Sequence, residues 1–185
     1  MPRARAPSRA ELLTFANHTI PDVIAPGLTV LFCGINPSLY SAYTGHHFAR
    51  PGNRFWPALY GGGFSDTLLR PDQGSALLAR NIGITNLVAR ATIAADELSD
   101  AELKSGGERL SAKVHIYRPQ VVAVLGISAF RTAFDRPRSV LGRQPSLWDV
   151  SELWVLPNPS GLNAHYTPAA LAQLFADFRQ AIGYR

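Results

Sequence analysis

The chain has 185 residues, 46% of them apolar and 17% charged, with a formal charge of +5. That length encloses one layered core, so a single domain over 1–185 is expected, with 1–10 as a basic, mobile arm. The lone Cys33 excludes an intrachain disulfide framework and a cysteine zinc site, no run reaches the ~18 apolar residues of a membrane span, and no apolar stretch follows the basic N-terminus as in a secretory signal.

In chain order, Ser8 and Glu11 form a capping box ahead of Leu12, Leu13 and Phe15, which marks a helix start. Four short apolar runs at 28–35, 82–88, 120–127 and 153–156 read as strands buried on both faces. Phe55 and Trp56 lead into a helix as packing residues, and 64–73 and 135–151 read as surface loops. Ser99 and Glu102 cap a central helix carrying Leu103, Leu110, Val114 and Tyr117, and Gly106-Gly107 marks a break or late start in it. Thr167 and Pro168 open a last helix with Leu171, Leu174, Phe175 and Phe178 on one stripe. Strands alternating with helices imply a three-layer α/β/α sandwich around a mostly parallel central sheet. In such sheets ligands bind beyond the carboxyl ends of the strands.

Two of those strand ends carry the same tripeptide, Asn36-Pro37-Ser38 and Asn158-Pro159-Ser160. One copy is ordinary turn chemistry; two copies on the same edge of a parallel sheet can converge on one ligand. The intervening loop 44–56 is dense in polar and aromatic groups, and Phe48 in it is either core or a stacking platform for a base. His46 and His47 are adjacent and point apart, with no cysteine or carboxylate at ligand spacing, so no metal is expected. Glycine fingerprints for dinucleotides or phosphates and a nucleophile turn are missing, so no cofactor is expected. The positive charge suits a phosphate-rich partner, although an arginine bias (only Lys104 and Lys113 are lysine) also follows from GC-rich coding.

Gly34-Ile35-Asn36-Pro37, the loop 45–56 and Asn158-Pro159-Ser160-Gly161-Leu162 occur in this order. Together they resemble the mismatch-specific uracil-DNA glycosylases, the branch that includes thymine-DNA glycosylase, from about Leu28 to the C-terminus. The resemblance implies a monofunctional N-glycosyl hydrolase of base-excision repair. Such an enzyme flips uracil, and related mismatched or damaged pyrimidines, out of DNA and hydrolyses the bond to the sugar. Position by position, Asn36 matches the catalytic asparagine that holds the attacking water, and Phe48 the aromatic that stacks on the extruded base. The backbone at Gly34, Ile35 and Phe48 would bond the polar edge of that base. Gly161 and Leu162 match the tip that fills the vacated duplex, with Asn158 and Ser160 bracing it or touching phosphate. The implied partner is double-stranded DNA with a G:U mismatch or damaged pyrimidine, met by a monomer in the cytoplasm at the bacterial nucleoid, with no membrane involved.

Three positions depart from the resemblance. A neutral amide is a poor general base, which makes Asp96, in the loop 89–100, a second catalytic candidate; alternatively Asp96 and Glu97 merely favour the positive end of the helix that Ser99 caps. Asn86 and Ala164 stand where basic side chains are expected, which predicts weaker selection for guanine opposite the base, with Arg50, Arg54, Arg90 or His165 as replacements. Two rival readings are a catalytically inactive DNA-binding module of the same fold, against which Asn36 argues, and a nucleotide-cofactor enzyme, against which the missing glycine fingerprint argues.

Overall fold

A computed structural model describes residues 5–185. The four apolar runs form β1 (Val30–Gly34), β2 (Ile82–Asn86), β3 (Val121–Leu125) and β5 (Ser151–Leu156), and a further strand, β4 (Gly142–Trp148), adds one edge. The sheet order is β2-β1-β3-β5-β4; every neighbouring pair is parallel except β4 with β5. From β1 the chain winds outward to β2 and then crosses to the other side for β3 and β5. The winding direction therefore reverses between β1 and β3, where a doubly wound sheet opens a crevice at its carboxyl edge.

Successive residues of each strand alternate between two cores, as the period of two in a pleated strand requires. Leu31, Cys33, Val122 and Val124 face one side, where α4 (Asp100–Tyr117) brings Leu110 and Val114 and α5 (Ile127–Ala133) brings Phe130. Burial there pushes the Cys33 thiol pKa far up, so it is an inert core group. Val30, Phe32, Ile84 and Ala123 face the other side against α3 (Phe55–Gly61) and α6 (Pro168–Ala181). Phe32 lies at the centre of that face, stacked on Phe175 at 5.7 Å between centroids. Helices on both faces make the expected three layers.

The first helix, α1 (Arg9–Leu13), begins at the Ser8–Glu11 capping box, and α4 and α6 begin at Ser99 and Thr167 as their sequences require. The basic arm expected over 1–10 falls partly outside the described residues, and its last two residues already belong to α1. Two other readings need correction. The segment 135–151 holds β4, and the expected loop 64–73 gives way at Pro71 to a 3-10 stretch, Pro71–Arg80. The helix α4 runs unbroken through Gly106 and Gly107, because these glycines serve close packing: a Cβ at Gly106 would lie 2.7 Å from the Leu87 carbonyl oxygen, and one at Gly107 2.6 Å from that of Ala133.

That contact gives a prediction. Alanine in a helix interior ordinarily gains about 1 kcal/mol over glycine, but crowding a packed backbone costs about 1–3 kcal/mol. Gly106→Ala should therefore lower the midpoint of urea unfolding, and a raised midpoint would contradict the close approach. Leu87 begins the connection that leads from β2 to the site below, so the same variant should also disturb the cavity.

Candidate active site

Because β1, β2, β3 and β5 are parallel, their carboxyl ends share one edge, and Gly34, Asn86, Leu125 and Asn158 from those ends line a single cavity of about 330 Å³. This is at the small end of ligand pockets, ~300–1,000 Å³, and suits one nucleotide unit. The loop after β1 contributes Ile35 and Asn36, the loop before α3 contributes His47 and Phe48, the connection after β2 contributes Thr92 and Asp96, and the last loop contributes Ser160 and Leu162. The structure thus brings together the candidate catalytic and base-binding residues Asn36, Asp96, Gly34, Ile35 and Phe48 with Asn158, Ser160 and Leu162 of the expected DNA tip, and leaves Gly161 outside the cavity lining.

Asn36 is held in one orientation. Its Nδ2 donates to the Arg90 carbonyl at 3.0 Å and to Thr92 Oγ1 at 2.7 Å, and Thr92 in turn donates to the Ala94 carbonyl at 2.7 Å. A carbonyl only accepts, so the amide nitrogen must face Arg90 and the opposite flip is excluded. Both amide hydrogens are spent, and Oδ1 remains as the group that can accept a hydrogen bond from a molecule in the cavity. Thr92, which is buried, escaped the sequence reading because its role exists only once the two connections pack together.

A second oriented amide, Asn86, lines the same cavity. His47 is buried, and burial lowers its pKa, so the ring is neutral. Its Nε2 lies 2.9 Å from the Pro21 carbonyl, which requires the proton on that nitrogen and leaves Nδ1 as an acceptor. Asn86 therefore presents Nδ2 to Nδ1, at 3.4 Å, and keeps its Oδ1 as an acceptor. That oxygen lies so close over Gly34 that a Cβ there would meet it at 2.5 Å and the Phe48 ring at 3.1 Å.

Phe48 adopts a left-handed backbone, φ 54°, and stacks one face on Phe55 at 4.2 Å between centroids. Phe55 and Trp56 are core, as expected, and Trp56 Nε1 secures the loop by donating to the His47 carbonyl at 3.1 Å. The carbonyls of Gly34 and Ile35 accept from Leu87 and Val88 at 2.9 Å each. Among the described residues, no acceptor takes the N–H of Ile35 or Phe48, so two backbone donors border the cavity.

The last loop is braced from within. Asn158 Oδ1 accepts from the Ser160 N–H at 3.0 Å, Ser160 Oγ from the Leu162 N–H at 3.3 Å, and the Asn158 carbonyl from Asn163 Nδ2 at 3.0 Å. Gly161 is pressed on Gly52, whose carbonyl oxygen leaves no room for a Cβ. Arg54 ties the loop down by donating to the carbonyls of Gly161 at 2.9 Å, Asn163 at 3.1 Å and Tyr166. Leu162 projects from this rigid tip with 72% of its surface exposed. Two of the four cations expected to replace lost charge are therefore occupied: Arg54 here, and Arg90 in its pair with Glu102 at 2.5 Å, which holds the Glu102 pKa down at about 2. Arg50 and His165 remain exposed.

The exposed Asp96 sits in a 3-10 turn, Ala95–Glu97, at the rim of the cavity. Its neighbour Glu97 is tied to the Ala94 N–H at 2.9 Å, whereas the Asp96 carboxylate has no hydrogen-bond partner among the described residues.

The chain is similar to known proteins in sequence and in fold. The Uracil DNA glycosylase superfamily matches residues 21–179. The fold is similar to the solution NMR structure of a candidate uracil DNA glycosylase from Methanosarcina acetivorans, with a TM-score of 0.55 and 18% identity over 88% of this chain and 98% of that one.

Proposed function

From the premise that this chain belongs to the uracil DNA glycosylase superfamily, which gives it a DNA glycosylase role, we propose that it excises uracil above all, from G:U mismatches and related damaged pairs. The observation that carries this reading is that two oriented amides, Asn36 and Asn86, line one cavity with the Phe48 ring. Uracil offers an imide N–H between two carbonyls. Asn86 Oδ1 suits the N–H, and the free backbone N–H groups of Ile35 and Phe48 suit the carbonyls. Cytosine presents an unprotonated ring nitrogen there, which the Asn86 oxygen repels.

Breaking the base–sugar bond leaves negative charge on the departing base and positive charge on the sugar. Fixed N–H donors at the base carbonyls stabilise the first of these. A water accepted at Asn36 Oδ1 attacks the second, with Asp96 at the rim as the group that takes up its proton. A lyase step through an imine needs an amine nucleophile; among the described residues no lysine lines the cavity, which supports a reaction that stops at the abasic site. Leu162 enters the duplex to fill the space the base leaves, which offsets part of the few kcal/mol that extrusion costs.

The test is an oligonucleotide with one uracil, incubated with the protein as a monomer and then treated with alkali. A break at the uracil is expected, with similar rates for uracil opposite guanine, opposite adenine and in a single strand, since Ala164, exposed in the last loop, supplies no cation to grip the opposite strand, and Asn86 lies in the base cavity. Tight binding without breakage would favour an inactive module, and a strong guanine preference would contradict the looser selection.

A further inference from the structure

The family match begins at residue 21, yet the segment before it is seated on the active site. Leu12 and Phe15 pack on Leu39, Ala42 and Ala91. The Asn17 N–H donates to the Ala91 carbonyl at 2.9 Å, and the Ala91 N–H returns a bond to the His18 carbonyl at 2.8 Å. Ala91 lies between Arg90 and Thr92, the two residues that hold the Asn36 amide, so the N-terminal segment is fastened to the support of the catalytic candidate.

Outward of that seat, α1 and α2 (Leu39–Thr44) frame a groove of about 340 Å³ bordered by Arg9, Leu13, Tyr40 and Pro51. It shares Ser38, Arg50 and Ile93 with the base cavity, so the two are continuous at the mouth. Leu13 and Ile93 expose 43% and 52% of their surface. Arg9 and Arg50 are exposed and pair with no carboxylate among the described residues. Among the described residues no acidic side chain lines the groove.

We infer that this groove holds the DNA strand on one side of the extruded nucleotide, with phosphates on Arg9 and Arg50 and the adjoining sugar or base laid on Leu13 and Ile93. The inference rests on the function proposed above. A strand that delivers a base to the cavity must pass its mouth, and the groove starts from that rim. Cations supply the phosphate contacts that position a strand, and exposed apolar side chains beside them give a sugar or base an apolar surface to lie on. The N-terminal segment would thus extend the DNA surface beyond what the family match covers.

The experiment compares wild type with Arg9→Gln and Leu13→Ser, both exposed positions outside the base cavity, on a duplex containing an abasic site. Binding is measured by fluorescence anisotropy across a salt series, with melting temperature as a control for folding. Arg9→Gln should weaken binding about 3–10-fold and reduce the salt slope by about 0.9, the contribution of one phosphate. Leu13→Ser should weaken binding without changing the slope. Trimming the duplex on one side of the lesion, and not on the other, should abolish both differences. Equal affinity and slope in wild type and both variants would overturn the inference, as would a wild-type dimer in sedimentation that Leu13→Ser dissociates, which would give the groove to a second copy. Base release by wild type at saturating enzyme separates the two readings: its absence sinks the proposed function, whereas normal release with unaltered variant binding sinks the groove alone.

Discussion

Replacing Asn36 with alanine is expected to lower single-turnover base release by about 10²–10³-fold, the range seen when one fixed polar group is removed from a developing charge, while DNA affinity changes less than about threefold. The reason is geometric. The Arg90 carbonyl and Thr92 hydroxyl consume both amide hydrogens, so the alanine variant loses the oxygen that would place the water and leaves the base platform alone. Asn36→Asp should not rescue the rate, because a carboxylate oxygen would then oppose the Arg90 carbonyl and the side chain would turn away. Thr92→Val preserves bulk and removes the hydroxyl that accepts from Asn36 and donates to Ala94. A loss of about tenfold is expected there, with KM for DNA unchanged. If Asn36→Ala retained more than a tenth of the wild-type rate, the water-positioning role would fall.

The parts of the fold legible in the sequence are those whose burial is two-sided. β1 and β3 are buried throughout and read as unbroken apolar runs, β2 as a run that carries Gly83 and Thr85, and β5 as a run from Leu153 onward. β4 is an edge strand with Gln144 and Trp148 as its buried residues, and its pairing with β5 is irregular between those two, where Pro145 sits. An edge strand tolerates proline and polar residues, so the period that betrays a strand is absent there. Gly106 and Gly107 misled for the converse reason: glycine weakens a helix locally, and only the nearness of Leu87 and Ala133 explains why the helix carries it.

The site divides along the same line. Asn36 and Asn158 were visible because strand ends on one edge of a parallel sheet must be neighbours, and repeated turn chemistry at two of them points to one place. The locking of Asn86 by His47 was not visible, since it depends on a proton whose position is set by the Pro21 carbonyl far away in the chain. Arg54 was misread as a free cation for the same kind of reason: its three carbonyl partners lie in a loop more than a hundred residues downstream. Charge counted along a sequence overstates what a surface offers to DNA, because a folded loop claims guanidinium groups to satisfy its own carbonyls.

Asp96 supplies the second large effect. Asp96→Asn is expected to slow base release by about 10²-fold, the lower end of what positioned acid–base groups contribute, with DNA affinity unchanged or slightly tighter as a negative charge leaves the surface. The competing role, a charge that steadies the start of α4, is already carried by Asp100 and Glu102 in its first turn, where Glu102 accepts from the Ser99 N–H at 3.0 Å and completes the cap. A carboxylate left without a protein partner at the rim of a cavity is free to act on a molecule inside it. A merely structural Asp96 would lower the melting temperature and leave the rate per folded molecule intact. A catalytic one does the reverse, and Asp96→Glu, which restores the charge on a longer arm from the same turn, should recover part of the rate that asparagine loses. Equal rates for wild type and Asp96→Asn at matched enzyme saturation would leave Asn36 as the sole holder of the water, and the slow chemistry of an unassisted amide would then be the rate to expect of this enzyme.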